Sequence, residues 1–393
     1  MTQSPDDVHH ETLRILERLV AFDTVSDRSN LALIDWVEAH LAGHGLAARR
    51  FPNAAGDKAA LVVGIGPADR PGIVLSGHTD VVPVAGQQWT SDPFALRIAE
   101  GRAFARGAVD MKGFVALALA HVPLFRDAGL RRPVHIVVSY DEETTCLGSC
   151  DAIAAFGRDM PLPIAAIVGE PTSMEVADAH KSVVTFDTTV TGREAHSAKP
   201  GLGANAVTAA ARLVCELDRL ADEFAARGDP TGRFDPPNTT IHVGRIEGGT
   251  ARNIVPKRAW FEWEFRGVPG LDADEIPARF AAFAEGEVLP TLRAGAGGDA
   301  TILTRLGVHV PGLAPEPGST AETLALRLAG RNRTISVPYA TEAGHFQAAG
   351  IPTVVCGPGS IDQAHQPDEF ISLDQLRRGA DFMRGLAAWC AAG

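Results

Sequence analysis

Six side chains could do metal chemistry together: His78, Asp110, Glu142, Glu143, Glu170 and His365 each stand near a point where an apolar run gives way to Gly or Pro. Carboxylate and imidazole donors suit Zn²⁺ or a similar divalent ion, and two such ions roughly 3.5–4 Å apart can hold and activate one water between them. His78 lies in Ser76-Gly77-His78-Thr79-Asp80, and the Asp80 carboxylate two residues on could accept the far imidazole N–H, fixing tautomer and ring direction. Asp110 stands between Gly107-Ala108-Val109 and Met111-Lys112-Gly113 at the start of a helix, where each of its oxygens could meet one ion; it is read as the bridge. Glu142 and Glu143 are adjacent at a strand end, so one can ligate while the other stays free as a base. That base would take a proton from the water and return it to a leaving amine. Singly, each residue has a plainer reading as a packed histidine, a helix N-cap, a solvated loop acid or a turn residue. Together, carboxylates beside apolar strand ends in one half of a sheet would repel unless cations neutralise them.

The elements that must position these residues alternate. Leu13 to Val20 is amphipathic, Ile73 to Leu75 strand-like, Phe114 to Val122 helical and His135 to Tyr140 a buried strand. Ile164 to Val168 ends at Gly169-Glu170-Pro171, and Thr353 to Val355 ends at Cys356-Gly357-Pro358-Gly359. This is α/β alternation with a mixed, mostly parallel central sheet flanked by helices, and its ligands lie at strand ends, where loops of open α/β sheets converge. Between about Ser182 and Val308 the pattern changes to alternating strands (Val183 to Val190, Thr239 to Val243, Ala259 to Phe265, Ala300 to Leu306) and helical stretches (Ala204 to Ala226, Asp272 to Phe283). None of the six donors falls there. Residues 182–308 are therefore expected to form an inserted α+β domain, and 1–181 with 309–393 a discontinuous metal-binding domain. Ala294 to Gly298 is Gly/Ala-rich enough to read as a flexible loop.

The net charge of −12 argues against nucleic acid or an anionic membrane as the main partner. The first twenty residues carry acids and no unbroken apolar core, so they match neither a secretion signal nor a membrane span, and a cytoplasmic enzyme is expected. Five cysteines, an odd number, suggest reduced thiols, with Cys146 and Cys150 read as packing on a helix face after Glu143. Gly201-Leu202-Gly203 lacks the βαβ context of a dinucleotide fingerprint, and no GxSxG elbow occurs.

Several motifs in order resemble the dinuclear-zinc family of aminoacylases, acetylornithine deacetylases and succinyl-diaminopimelate desuccinylases: Gly77-His78-Thr79-Asp80, Arg106 to Gly113, Asp141-Glu142-Glu143, Gly169-Glu170-Pro171 and Gly192-Arg193-Glu194-Ala195-His196-Ser197. The resemblance spans almost the whole chain. It implies that His78 and Glu170 bind one ion, that Glu143 and His365 bind the other, that Asp110 bridges and that Glu142 is the general acid/base, with Asp80 supporting catalysis. It further implies two Zn²⁺ per subunit, with Co²⁺ as a possible substitute, a cis peptide after Asp110, and an insertion 182–308 that is a ferredoxin-like lid and dimerisation domain, through which the chain forms a homodimer. His196 is implied to reach a partner subunit's site and donate to the oxyanion, a role that acts on turnover. Arg266 is implied to clamp the α-carboxylate of a small N-acyl amino acid, with Asn253 assisting at the polarised carbonyl.

The stretch Ala340 to Phe346 and Gly357 to Phe370 looks most like the acetylornithine deacetylase branch, which implies hydrolysis of N-acetyl-L-ornithine to ornithine and acetate in arginine synthesis. A distal ammonium needs a fixed anion, for which Glu342 is the candidate, with Gly344 beside it as a further substrate contact. Two alternatives stay open: a deacylase of other N-acyl amino acids, including succinyl-diaminopimelate, and a non-catalytic receptor or scaffold on the same fold.

Overall fold

Residues 5–296 and 298–392 are described in the computed structural model of the chain. They fall into two units: residues to Ala179 with Leu313–Ser336 and those from Thr341 onward, and His180–Gly312 with Val337–Ala340. The expected boundary at 308 cuts a strand, because the pairing of Thr301–Val310 continues to its last residue.

In the first unit the sheet order is Ala48–Pro52, Ala59–Ile65, Val134–Ser139, Ile73–His78, Ala165–Pro171, Thr353–Gly357, Val176–His180 and Thr334–Val337. The third to sixth strands run parallel, and antiparallel strands flank them. Ile73–His78, Val134–Ser139 and Ala165–Pro171 are buried at every position. With both faces covered, the apolar runs need not alternate. Helix Lys112–Ala120 is likewise buried at all nine residues and packs against the sheet and the helices Pro5–Val20 and Leu373–Ala392. It is apolar all round because no face of it meets water. The helix comes so close to the sheet that a Cβ at Gly169 would lie 2.1 Å from the Phe114 ring, so the residue before Glu170 has to be glycine.

The second unit is a four-stranded antiparallel sheet, ordered Thr240–Gly248, Arg258–Arg266, Val183–Thr191 and Thr301–Val310. Helix Ala206–Arg227 follows its first strand in the chain, and Glu275–Phe283 precedes its last. This βαββαβ order is the ferredoxin-like split unit. Val183–Thr191 alternates between buried and half-buried positions, so that Phe186 stacks on Trp263 at 4.2 Å beneath the helices. The supposed flexible loop from Ala294 is instead the end of helix Leu289–Ala296, and Gly297 lies outside the described residues. No helix among the described residues is long and apolar enough to cross a membrane.

Candidate metal centre

The four adjacent parallel strands of the first unit each deliver a donor at or beyond the carboxyl end. His78 is the last residue of its strand, Glu142 and Glu143 follow Val134–Ser139, Glu170 is the penultimate residue of its strand, and His365 follows Thr353–Gly357. Asp110 arrives from the loop ahead of the buried helix Lys112–Ala120, and its peptide bond to Met111 is cis.

Asp110 faces two ways. Its Oδ1 lies 3.0 Å from His78 Nε2, and its Oδ2 lies 3.3 Å from His365 Nε2. Glu170 Oε1 is 3.5 Å from His78 Nε2, and Glu143 Oε2 is 2.9 Å from His365 Nε2. Two donor groups result, His78–Asp110–Glu170 and Asp110–Glu143–His365, each with ligand atoms within 4.8 Å of one another. Glu142 is in neither group, but its Oε2 lies 3.9 Å from His78 Nε2, so all six expected residues are brought together.

The electrostatics of this cluster suit cations. Burial, followed by the charge of Asp110, pushes the Glu143 carboxyl up to about 7 and Glu170 up to about 8. Burial and then Glu170 raise Glu142 well above the usual range. Asp110 is held low against its own burial by the hydrogen bonds of His365 and His78. Glu170 Oε1 is buried without a hydrogen-bond partner. A buried lone pair left in this way has a large desolvation cost, and a divalent ion would offset it. The donor set and the orphaned oxygen both fit a pair of metal ions.

The support around the donors differs in part from expectation. His78 Nδ1 bonds the main-chain carbonyl of Asp80 at 2.9 Å, while the nearer Asp80 carboxylate oxygen is 3.5 Å away. That carboxylate instead accepts the N–H groups of Glu142 and Glu143 and the Ser26 hydroxyl. The carbonyl therefore fixes the tautomer, and the carboxylate fixes the turn that carries the two glutamates. Cys146 is not on a helix face. It takes a left-handed conformation (φ 55°) and its thiol lies 3.2 Å from Glu142 Oε1.

Glu342 and Gly344 do not meet the expectation of substrate contact. Glu342 is 1% exposed, and its carboxylate accepts hydroxyl hydrogen bonds from Ser76 and Ser139, the latter at 2.8 Å. A carboxyl buried against these two serines presents no exposed face to a substrate ammonium. Gly344 is buried in helix Ala343–Ala348.

His196, Asn253 and Arg266 belong to the second unit. His196 pairs with Ile254 across a short antiparallel bridge, and the Ser197 N–H donates to the Asn253 carbonyl at 3.0 Å, so these two are neighbours. The exposed His196 ring accepts the Ala198 N–H at Nδ1, at 3.0 Å. A neutral ring bonded this way carries its proton on Nε2, the outward donor. Arg266 ends an interior strand, not an edge one, and its Nε donates to Glu264 at 3.1 Å.

Sequence reasoning passed over Glu369 and Gln87. Glu369, 1% exposed, accepts the N–H groups of Gly107, Val109 and Asp110 and pairs with Arg106 at 2.7 Å. Its only sequence signal was its place in the stretch Gln366-Pro367-Asp368-Glu369-Phe370.

Residues 74–389 match the family model described as Peptidase family M20/M25/M40. An acetylornithine deacetylase of Myxococcus xanthus is 36% identical over 384 residues, covering 95% of this chain and 96% of that protein. One of Proteus mirabilis is 33% identical, covering 90% and 88%. Among solved structures, the aminopeptidase PepT of Bacillus cereus superposes with a TM-score of 0.72 at 19% identity, covering 98% of this chain and 99% of that one. A dinuclear metal-binding M20 peptidase of Bacillus subtilis does so at 0.67 and 16% identity, covering 98% of each.

Proposed function

This chain belongs to peptidase family M20/M25/M40, and on that premise we propose that it hydrolyses the amide of N-acetyl-L-ornithine to ornithine and acetate, a step of arginine synthesis, in the cytoplasm. The observation that carries the reaction type is Asp110, with one oxygen turned to each donor group beside the buried Glu142. The choice of acyl amino acid is supported by the deacetylases of M. xanthus and P. mirabilis, which match along nearly their whole length.

His78, Asp110 and Glu170 would hold one ion, and Asp110, Glu143 and His365 the other. Bound there, Zn²⁺, or Co²⁺ in its place, would polarise the acyl carbonyl and make a water acidic near neutral pH. Glu142 takes the proton of the attacking water and returns it to the departing amine. Burial raises its carboxyl from the ordinary range, the direction required of a base that must also act as an acid. His196 donates its Nε2–H to the oxyanion in a partner subunit's site, and Asn253 and Arg266 address the acyl oxygen and the α-carboxylate. The homodimer this requires is supported by the outer strand Thr301–Val310, which leaves Leu303 and Leu306 about half exposed on an unpaired edge.

The test is amine release from acetyl-, succinyl- and formyl-amino acids. Acetylornithine is expected to give the highest kcat/KM. Preference for succinyl-diaminopimelate or for neutral acetylated amino acids would reassign the substrate, and no release from any would favour a non-catalytic role.

A further inference from the structure

His365 is the most exposed of the metal-site donors, with 53% of its side chain accessible, and its backbone is left-handed (φ 63°). A non-glycine residue holds that conformation only where its surroundings over-determine it. The support comes from a chain of bonds that is exposed at His365 and buried at Glu369. Gln87 Nε2 donates to the His365 carbonyl at 2.8 Å. Gln87 Oε1 accepts from Arg106 Nη2 at 2.6 Å and from Trp89 Nε1 at 3.1 Å. Arg106, 1% exposed, pairs through Nη1 with Glu369, whose oxygens hold the main-chain N–H groups of Gly107, Val109 and Asp110. Glu369 thus ties the segment that carries His365 to the segment that carries Asp110, and the Gln87 amide adds a link from Arg106 to the His365 main chain itself. Nearby, Asp368 accepts the N–H and hydroxyl of Thr90 at 3.0 and 2.9 Å, tying the loop of Gln87 to the segment of His365 a second time.

We propose that Gln87 is a positioning residue for the Asp110–Glu143–His365 ion position: it transmits the Arg106–Glu369 clamp on Asp110 to the main chain of His365. The inference rests on the metal reading of the site. The bond of Gln87 itself goes to His365, which belongs to one ion position alone, and none reaches His78 or Glu170; the shared Asp110 is still held by Glu369, so loss of Gln87 falls first on the Asp110–Glu143–His365 position.

The experiment is titration of metal-stripped protein with Co²⁺, followed by calorimetry and visible absorption, on wild type, Gln87→Leu and Gln87→Glu. Gln87→Leu removes all three bonds at similar volume; Gln87→Glu keeps an acceptor for Arg106 and Trp89 and loses the donor to His365. Wild type is expected to take two ions. Both variants are expected to weaken one of them by roughly ten- to a hundredfold, the usual effect of removing an outer support, and to affect the other far less. Two ions bound as in wild type by both variants would overturn the brace and leave the metal reading standing. Equal weakening of both ions would overturn it too, as general loosening. Wild-type protein that takes up no ion would overturn both readings together.

Discussion

The Asp80 carboxylate accepts the main-chain N–H of Glu142 at 3.1 Å from one oxygen, and its other oxygen takes the N–H of Glu143 at 3.2 Å. Because these are charge-assisted bonds to two successive amides, they fix where both glutamate side chains leave the backbone. Asp80→Asn turns one acceptor into a donor facing an N–H. The expected result is a fall in kcat of roughly ten- to a hundredfold, with the protein still folded by circular dichroism. An unchanged kcat would reduce Asp80 to a packing residue.

Glu142→Gln keeps the side-chain volume and removes the proton carrier. Its kcat is expected to drop by about 10²–10⁴, while elemental analysis still finds the wild-type metal content. Loss of metal in step with activity would make Glu142 a ligand and not the base.

The metal-free protein is expected to have a characteristic pH dependence. Burial raises Glu143 to about 7 and Glu170 to about 8 from an ordinary 4.5, and the carboxylates of Asp110 and Glu143 raise His365 to about 10 from 6.5. All three bind protons more tightly folded than unfolded. The stability they contribute is therefore full below their unfolded values and is lost as pH rises through 7 to 10. Buried Lys112, His121 and His135 are shifted down and act the opposite way, but they are common to the metal-free and metal-loaded protein and cancel in a comparison of the two. From pH 5 to 9 the Tm of chelator-treated protein should therefore fall relative to that of metal-loaded protein, in which the ions take the place of those protons, and a gap that narrows over this window would contradict the buried cluster.

Much of this centre was legible in the sequence because its donors sit where apolar strands end. A strand buried on both faces cannot carry His78 or Glu170 in mid-run without a partner, so their places are informative. The supports were not legible, for a physical reason. Glu369 and Gln87 act on main-chain N–H and C=O groups of segments far away in the chain, and such bonds leave no pattern of residue type or spacing. Glu342 shows the converse: an acid in a Gly-containing stretch reads as exposed until Ser76 and Ser139, more than two hundred residues away in sequence, are seen to enclose it.

Glu342→Gln is accordingly expected to act on stability and not on substrate choice. The amide nitrogen would meet a serine hydroxyl that now donates to a carboxylate, and a buried polar group left unsatisfied costs about 1–3 kcal/mol. Denaturant unfolding should shift by that amount while the ratio of kcat/KM for acetylornithine to that for neutral acetylated amino acids holds. Collapse of that ratio with stability intact would return the carboxylate to the substrate pocket.

The most direct measurement is hydrolysis of N-acetylornithine by protein stripped with a chelator and then titrated with Zn²⁺. Activity is expected to vanish on stripping and to return as the protein takes up two ions per chain. Full activity in the stripped protein, or none after both ions are bound, would contradict the two-ion centre built on Asp110.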